Sequence, residues 1–401
     1  MVRKLTGYLS LLFCFLAPIS QLASSRLLIV LVALSFFIKL GPFRLKNFLL
    51  QQWDIALFFF TLILGLTYSQ NLYLGLRQLE TMLCLLGLPI VIFNYGTVSK
   101  ESLTTLFYAF ISGLGVACLI CLAVASIHFF TLPTPNWDMF LYETLTKPLG
   151  AQPTYFAYYL VFAITVGLYK FYFDLHRKYL WLALLLLSFY FLMLLLTGSQ
   201  TVFISLLFVF SFFLAKYLIQ RSSKRESIAV VFVVVAIGSM AAWATIGPLQ
   251  NSSHTNTDYW ERFTLWEAAL HTNSNWWTGV GTGDYEDALN QYYRNHQLGE
   301  YAKNNFNAHN QYIQILLSNG IIGIVALLVL MLRPLYLAVL AKDLLGVLLL
   351  YPFLLYGITE VFLGRYQGVL FFGIIHQLLS NYYLKYPSVN LAKVDKLRGT
   401  V

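Results

Sequence analysis

Apolar runs of about 20 residues recur along almost the whole chain, and they restrict its possible folds more than any motif does. "ACLICLAVASIHFF" and "GIIGIVALLVLML" are two such stretches. One run of this kind spans the hydrocarbon core of a bilayer as an α-helix, and its repetition predicts an all-α, polytopic membrane helix bundle. Composition agrees: 11% of the 401 residues are charged, against roughly 25% in a soluble domain. The expected spans, about 12 of them, are 5–22, 26–42, 53–69, 76–95, 102–130, 153–174, 179–197, 200–219, 227–247, 309–332, 336–357 and 361–384. The chain then divides into spans one to nine (1–247), a large outer loop with short helices (248–308), spans ten to twelve (309–384) and a cytoplasmic tail (385–401).

Charge placement gives this layout an orientation. The formal charge of +9 does not point to nucleic acid, because the basic residues sit in short clusters between apolar runs. With 12 spans, 19 of the 26 Lys and Arg fall on the side of the termini and 7 on the other. Positive-inside bias therefore predicts cytoplasmic termini and an outward-facing long loop. Arg3 and Lys4 before an apolar stretch imitate a signal peptide, but no small-x-small cleavage site follows, so the reading is an uncleaved first span.

The loop carries two helical patterns. "TDYWERFTLWEAALH" has an Asp258-x-x-Glu261 cap pattern with apolar residues at helical spacing, and "DYEDALNQYYRNH" follows the turn-forming "GVGTG". A shorter Pro-containing loop covers 131–152. No internal repeat supports a transporter built of inverted halves. Cys14, Cys84, Cys118 and Cys121 all lie in apolar runs and read as small buried hydrophobes. "GVGTG" lacks the Lys-Ser/Thr of a phosphate loop, so its glycines read as a tight turn, with backbone amides near a phosphate as the alternative. Asp284, Glu286 and Asp287 read as complements to a helix dipole rather than metal ligands, and His254, His271 and His296 show no ligand spacing.

His309 stands where polar sequence gives way to the tenth span. A histidine there is suited to take a proton from a hydroxyl, and a locally bonded interfacial histidine is the alternative from position alone. His309-Asn310, nine residues, then Gly320-Ile321-Ile322-Gly323 give H-N-x9-G-x-x-G. With "GVGTGDY" upstream and Arg262 followed by Trp266, the chain resembles the O-antigen ligase and polymerase superfamily over roughly residues 190–330. "GAQPTYFAYYL" and "LYGITEVFLGRYQG" resemble members more weakly.

The resemblance implies a metal-independent, inverting glycosyltransferase without cofactor in a bacterial inner membrane. It would move a glycan from undecaprenyl diphosphate to a lipid or oligosaccharide acceptor at the periplasmic face, with lipid A-core oligosaccharide as the acceptor of a ligase. It further implies His309 as the group that activates or orients the acceptor hydroxyl, with Asn310 beside it as a substrate-binding residue, and Arg262 as the diphosphate ligand. Where the family carries a Ser-Arg pair at the outer start of a span, this chain has Ser199-Gln200. Gln200 can bond a phosphate but not neutralise it, so a second cation would come from Arg77, Arg294 or Arg365; for Arg77, pairing with Glu80 is an equally good account. A polymerase extending the lipid-linked glycan and a non-enzymatic transporter of lipid-linked sugars are the alternatives.

Overall fold

A computed structural model describes residues 2–38, 51–95, 99–131, 135–173, 179–219, 258–273 and 275–385. The α-helices among the described residues begin with α1 (Val2–Leu16), α2 (Gln21–Ile38), α3 (Trp53–Leu66), α4 (Leu72–Met82), α5 (Cys84–Tyr95) and α6 (Lys100–Thr131). They continue with α7 (Tyr142–Thr146), α8 (Pro153–Phe173), α9 (Leu180–Leu196) and α10 (Gln200–Ile219). After these come α11 (Asp258–Thr272), α12 (Tyr285–Asn295), α13 (Gly299–Lys303), α14 (Gln311–Leu340), α15 (Leu344–Thr359) and α16 (Tyr366–Lys385). No strand occurs among the described residues.

Each predicted apolar run within the described residues is helical; the ninth, 227–247, and the tail from 386 lie outside them. Four helices there are long and apolar enough to cross a membrane, at Leu72–Val91, Lys100–Thr131, Pro153–Phe173 and Gln311–Leu340, beside several shorter apolar ones. Boundaries moved where local chemistry overrides hydropathy. The first helix stops at Leu16 rather than 22, because Pro18 disfavours helical backbone at the residue before it. Ser20 Oγ then accepts the Ala23 N–H at 3.3 Å, so α2 starts at Gln21 rather than 26. The fourth run starts at Leu72, where the Asn71 side chain caps by accepting the Leu74 N–H at 3.1 Å, and a turn at Leu83 divides it. Both loop helices form where the sequence predicts them, as α11 and α12; the side chain of Asp258, and with it the proposed cap, lies outside the described residues.

The chain forms two compact units, one of residues 111–256 and one of 1–110 with 257–401. In the first, α8 packs on α9 and α10, and the Tyr190 hydroxyl donates to the Ile111 carbonyl at 2.9 Å. In the second, α14 packs against α3, α15 and α16, while α2 and α16 pack on α5. Phe353, Phe362, Phe371 and Phe372 interlock at ring distances of 5.2–5.8 Å in that unit's core.

One interruption shapes the second unit. Gly320, inside α14, has φ 63° and ψ −161°, a conformation available essentially only to glycine. The break frees backbone groups that the "GVGTG" segment and its neighbours satisfy. Ile321 N–H donates to Trp276 O at 2.8 Å, while Leu317 O and Ser318 O accept from Val280 N–H at 2.8 Å and Gly281 N–H at 3.0 Å. Asn319 Nδ2 donates to Thr282 Oγ1 at 2.8 Å and to Thr61 O at 3.0 Å, binding the loop to α3 as well. The loop is thus stitched into a break in a long apolar helix, where open backbone would otherwise be costly.

Candidate active site

The polar stretch ahead of α14 ends in a tight cap. Asn310 Oδ1 accepts the N–H groups of Tyr312 (2.9 Å) and Ile313 (3.0 Å), satisfying two donors of the first turn. His309, just before it, holds φ 42°, a left-handed conformation uncommon for a residue with a side chain. Its N–H donates to Asn307 Oδ1 at 2.8 Å. The imidazole leans on the Phe306 ring, 5.9 Å between centroids, and its Nδ1 lies 3.5 Å from Glu360 Oε2. The histidine side chain is 29% exposed and the glutamate 13%, so the pair is gripped by packed helices yet reachable.

Glu360 closes α15, with its own N–H bonded to Tyr356 O at 2.9 Å. The sequence reading did not single it out. Its one signal was an acid in "LYGITEVFLGRYQG", between two apolar spans, and only the fold brings it to His309. Arg365 lies in the same connection, exposed, and its carbonyl accepts the Val369 N–H at 3.1 Å at the start of α16.

Arg262 lies near the start of α11, one turn before Leu265 and two before Ala269, on the stripe that faces inward. Leu265, Ala268 and Ala269 share one buried cluster with Leu289 and Tyr293 of α12, Leu317 of α14 and Ala308, the residue beside His309. Phe306 and Ile313 pack on the same cluster. Arg262 is half-buried and makes no hydrogen bond or ion pair among the described residues. Trp266 packs edge-on to Phe263 at 5.3 Å.

The remaining sequence candidates are spread more widely. Arg77 is exposed on α4 beside Tyr73, Leu76 and Glu80 around one concave surface, and no Arg77–Glu80 ion pair forms among the described residues. Its charge is felt by Glu286 instead. Burial holds that carboxyl above the usual range, the neighbouring Asp287 adds to the rise, and Arg77 opposes it. Arg294 is exposed in the last turn of α12. Gln200 begins α10 in the other compact unit, and its side chain lies outside the described residues.

The phosphate alternative for "GVGTG" loses its donors. The N–H groups of residues 279–283 go to Asn275 O, Leu317 O, Ser318 O, Gly65 O and Ser69 Oγ in turn. Asp284 is likewise occupied, accepting the N–H groups of Gln70 (2.8 Å) and Asn71 (2.7 Å), while Asn71 Nδ2 donates to Asp287 at 2.7 Å. His271 and His296 stack on Tyr292, and His254 lies outside the described residues.

An all-helical, polytopic membrane protein with a histidine–carboxylate pair at the seam between a polar helical loop and an apolar helix is the class that these features define. Residues 182–328 match the family model described as O-antigen ligase, which supports the O-antigen ligase and polymerase superfamily and a glycosyltransferase-like function in the membrane. No curated protein matches the chain. The matched region includes Arg262, His309, Asn310, Gly320 and Gly323, and ends before Glu360.

Proposed function

We propose that this protein is a ligase-type glycosyltransferase that moves a glycan from undecaprenyl diphosphate to an acceptor hydroxyl at the outer membrane face. The observation that carries the reading is the His309–Glu360 pair beside the buried cluster on which Arg262's helix packs. With Nδ1 turned toward the carboxylate, Nε2 is left for the acceptor; a carboxylate partner fixes the tautomer and favours the imidazolium formed during transfer. The acceptor oxygen attacks the anomeric carbon as its proton passes to His309. The bond from that carbon to the diphosphate oxygen breaks, and polyprenyl diphosphate leaves as an anion with inversion at the sugar. Arg262, which makes no hydrogen bond or ion pair among the described residues, would hold the diphosphate with paired donors in a medium where that contact is strong. Arg365 lies in the connection that carries Glu360 and is the second cation this reading assigns.

Reconstitution of the purified chain with a lipid-diphosphate glycan and separate acceptors tests this. One chain added to a core lipid is the expected product; a ladder on the carrier identifies a polymerase, and movement of the lipid without transfer identifies a transporter. Arg262→Ala is expected to raise the donor KM by about 10-fold or more, in proportion to a lost charge-assisted bidentate contact. An unchanged donor KM would remove Arg262 from the diphosphate site.

A further inference from the structure

Two glutamines in the first turn of α14 bond to the two chain segments that carry the reactive pair. Gln311 Oε1 accepts the Leu363 N–H at 2.8 Å, reaching 52 residues along the chain to the turn that follows Glu360. Gln314 Oε1 accepts the N–H of Ala308, the residue directly before His309, at 3.1 Å. The two residues are three apart, so they share one helix face, and each is only 1% exposed. Burying an amide is unfavourable unless its groups are bonded. Gln314 nevertheless leaves its Nε2 buried with no hydrogen-bond partner among the described residues. What the position gains is the bond to Ala308, beside a histidine whose left-handed backbone must be held from both sides. Gln311 meets the same need for Glu360, whose connection is otherwise anchored by the apolar packing of Phe362 and Leu363.

We infer that Gln311 and Gln314 are positioning residues that keep His309 and Glu360 in register, one from each side of the pair. The inference rests on the catalytic reading of that pair, so its test has one arm that needs no catalysis. In the kinetic arm, Gln311→Leu and Gln314→Leu in the reconstituted full chain are expected to lower kcat about 10- to 100-fold, as expected for a reactive pair displaced by about an ångström. The donor KM stays within about twofold, because the diphosphate ligand is untouched. Gln311→Glu and Gln314→Glu keep an accepting oxygen and are expected to recover most of kcat.

In the structural arm, cysteines replace His309 and Glu360 and are bridged by a short bifunctional thiol reagent. Adding Gln311→Leu is expected to cut the cross-linking yield several-fold, whereas Gln311→Glu leaves it intact. Where a leucine variant does not fold, asparagine at the same position, one methylene too short to reach, is read in its place. Equal cross-linking in all backgrounds, or leucine variants with unchanged kcat, would overturn the inference. Loss of cross-linking on adding Gln311→Leu, together with no glycan transfer by the chain that keeps its native His309 and Glu360, would leave the register role standing and count against the proposed reaction.

Discussion

Two histidine–carboxylate pairs of the second unit, His309–Glu360 and His376–Asp54, share their side-chain chemistry and differ in distance, burial and partners. At His309–Glu360 the nitrogen–oxygen distance is 3.5 Å, both side chains keep some exposure, and Nε2 makes no hydrogen bond among the described residues. At His376–Asp54 the distance is 3.0 Å and neither side chain is exposed at all. There Asp54 Oδ1 also accepts from Arg333 Nη1 at 2.6 Å, and Arg333 Nη2 donates to Gln51 O at 2.7 Å while the guanidinium lies over Trp53. Gln377 Nε2 lies 2.9 Å from His376 Nδ1 and donates onward to Gln52 Oε1 at 3.0 Å. An amide N–H only donates, so Nδ1 accepts and Nε2–H points at Asp54. Both nitrogens of His376 are filled. An imidazole can serve as a base only when one nitrogen is open to a substrate, so the comparison separates a reactive pair from a clasp. Helix α14 joins the regions: at 1.5 Å per residue, Arg333 lies on the order of 30 Å from the cap beside His309.

Replacing each histidine separates the roles most sharply. His309→Ala is expected to reduce glycan transfer by about two to four orders of magnitude, the range for loss of a general base, with protein yield and insertion unchanged. Native-rate transfer by this variant would end the base assignment. Asp54→Ala is expected to do the reverse. It strips Arg333 and His376 of their shared acceptor and should cost about 3–5 kcal/mol of stability, as for other broken buried ion pairs, with transfer per folded molecule preserved. Thermal unfolding in detergent measures the loss. If Asp54→Ala were stable but inactive, the clasp would belong to the mechanism.

Gly320 tests whether the connecting helix must break between the two regions. A Cβ there would stand 2.3 Å from the Trp277 backbone, and its φ of 63° strains any side chain-bearing residue. Gly320→Ala is expected to cost about 1–3 kcal/mol. The damage should appear first at the loop stitched into the break, as faster amide exchange at Val280 and Gly281, while the clasp region stays protected. Uniform loss of protection along α14 would show the helix to be one cooperative piece.

The sequence made the helices legible because burial in a bilayer demands long apolar runs, and it exposed His309 and the paired glycines as a motif with fixed spacing, with Arg262 singled out by the family resemblance. It was silent on what is built by distant contacts. Glu360 is 51 positions from His309 and sits in a connection with no periodicity to read. Asp54, in "QQWDIALFFF", lies hundreds of positions from Arg333 and His376, with no spacing that joins them. Gly320 was visible as a motif residue, but its backbone angles were not, since spacing gives no account of which loop fills the break. The reading of "GVGTG" stopped at a choice between turn and phosphate cradle for the same reason: its donors are taken by carbonyls and a hydroxyl far away in sequence.

The mildest change probes what the carboxylate does for His309. Glu360→Gln keeps the size and an oxygen able to accept the Nδ1–H, but removes the negative charge opposite the imidazole. If the glutamate chiefly fixes the tautomer, the loss should be small. If it chiefly favours the imidazolium, the loss should grow with the charge that develops on the ring. The 3.5 Å separation is longer than a formed hydrogen bond, which makes charge the stronger link between them. A fall in kcat of about 10-fold, near 1.4 kcal/mol, with unchanged thermal stability is therefore expected. Glu360→Ala should fall further, because it also loses the acceptor. Equal kcat values for the two variants would assign the whole effect to charge, and a glutamine variant at the native rate would assign it to tautomer and orientation alone. The corresponding isostere at the clasp, Asp54→Asn, should lower thermal stability and leave kcat in place, the opposite signature from a pair of the same side-chain kinds.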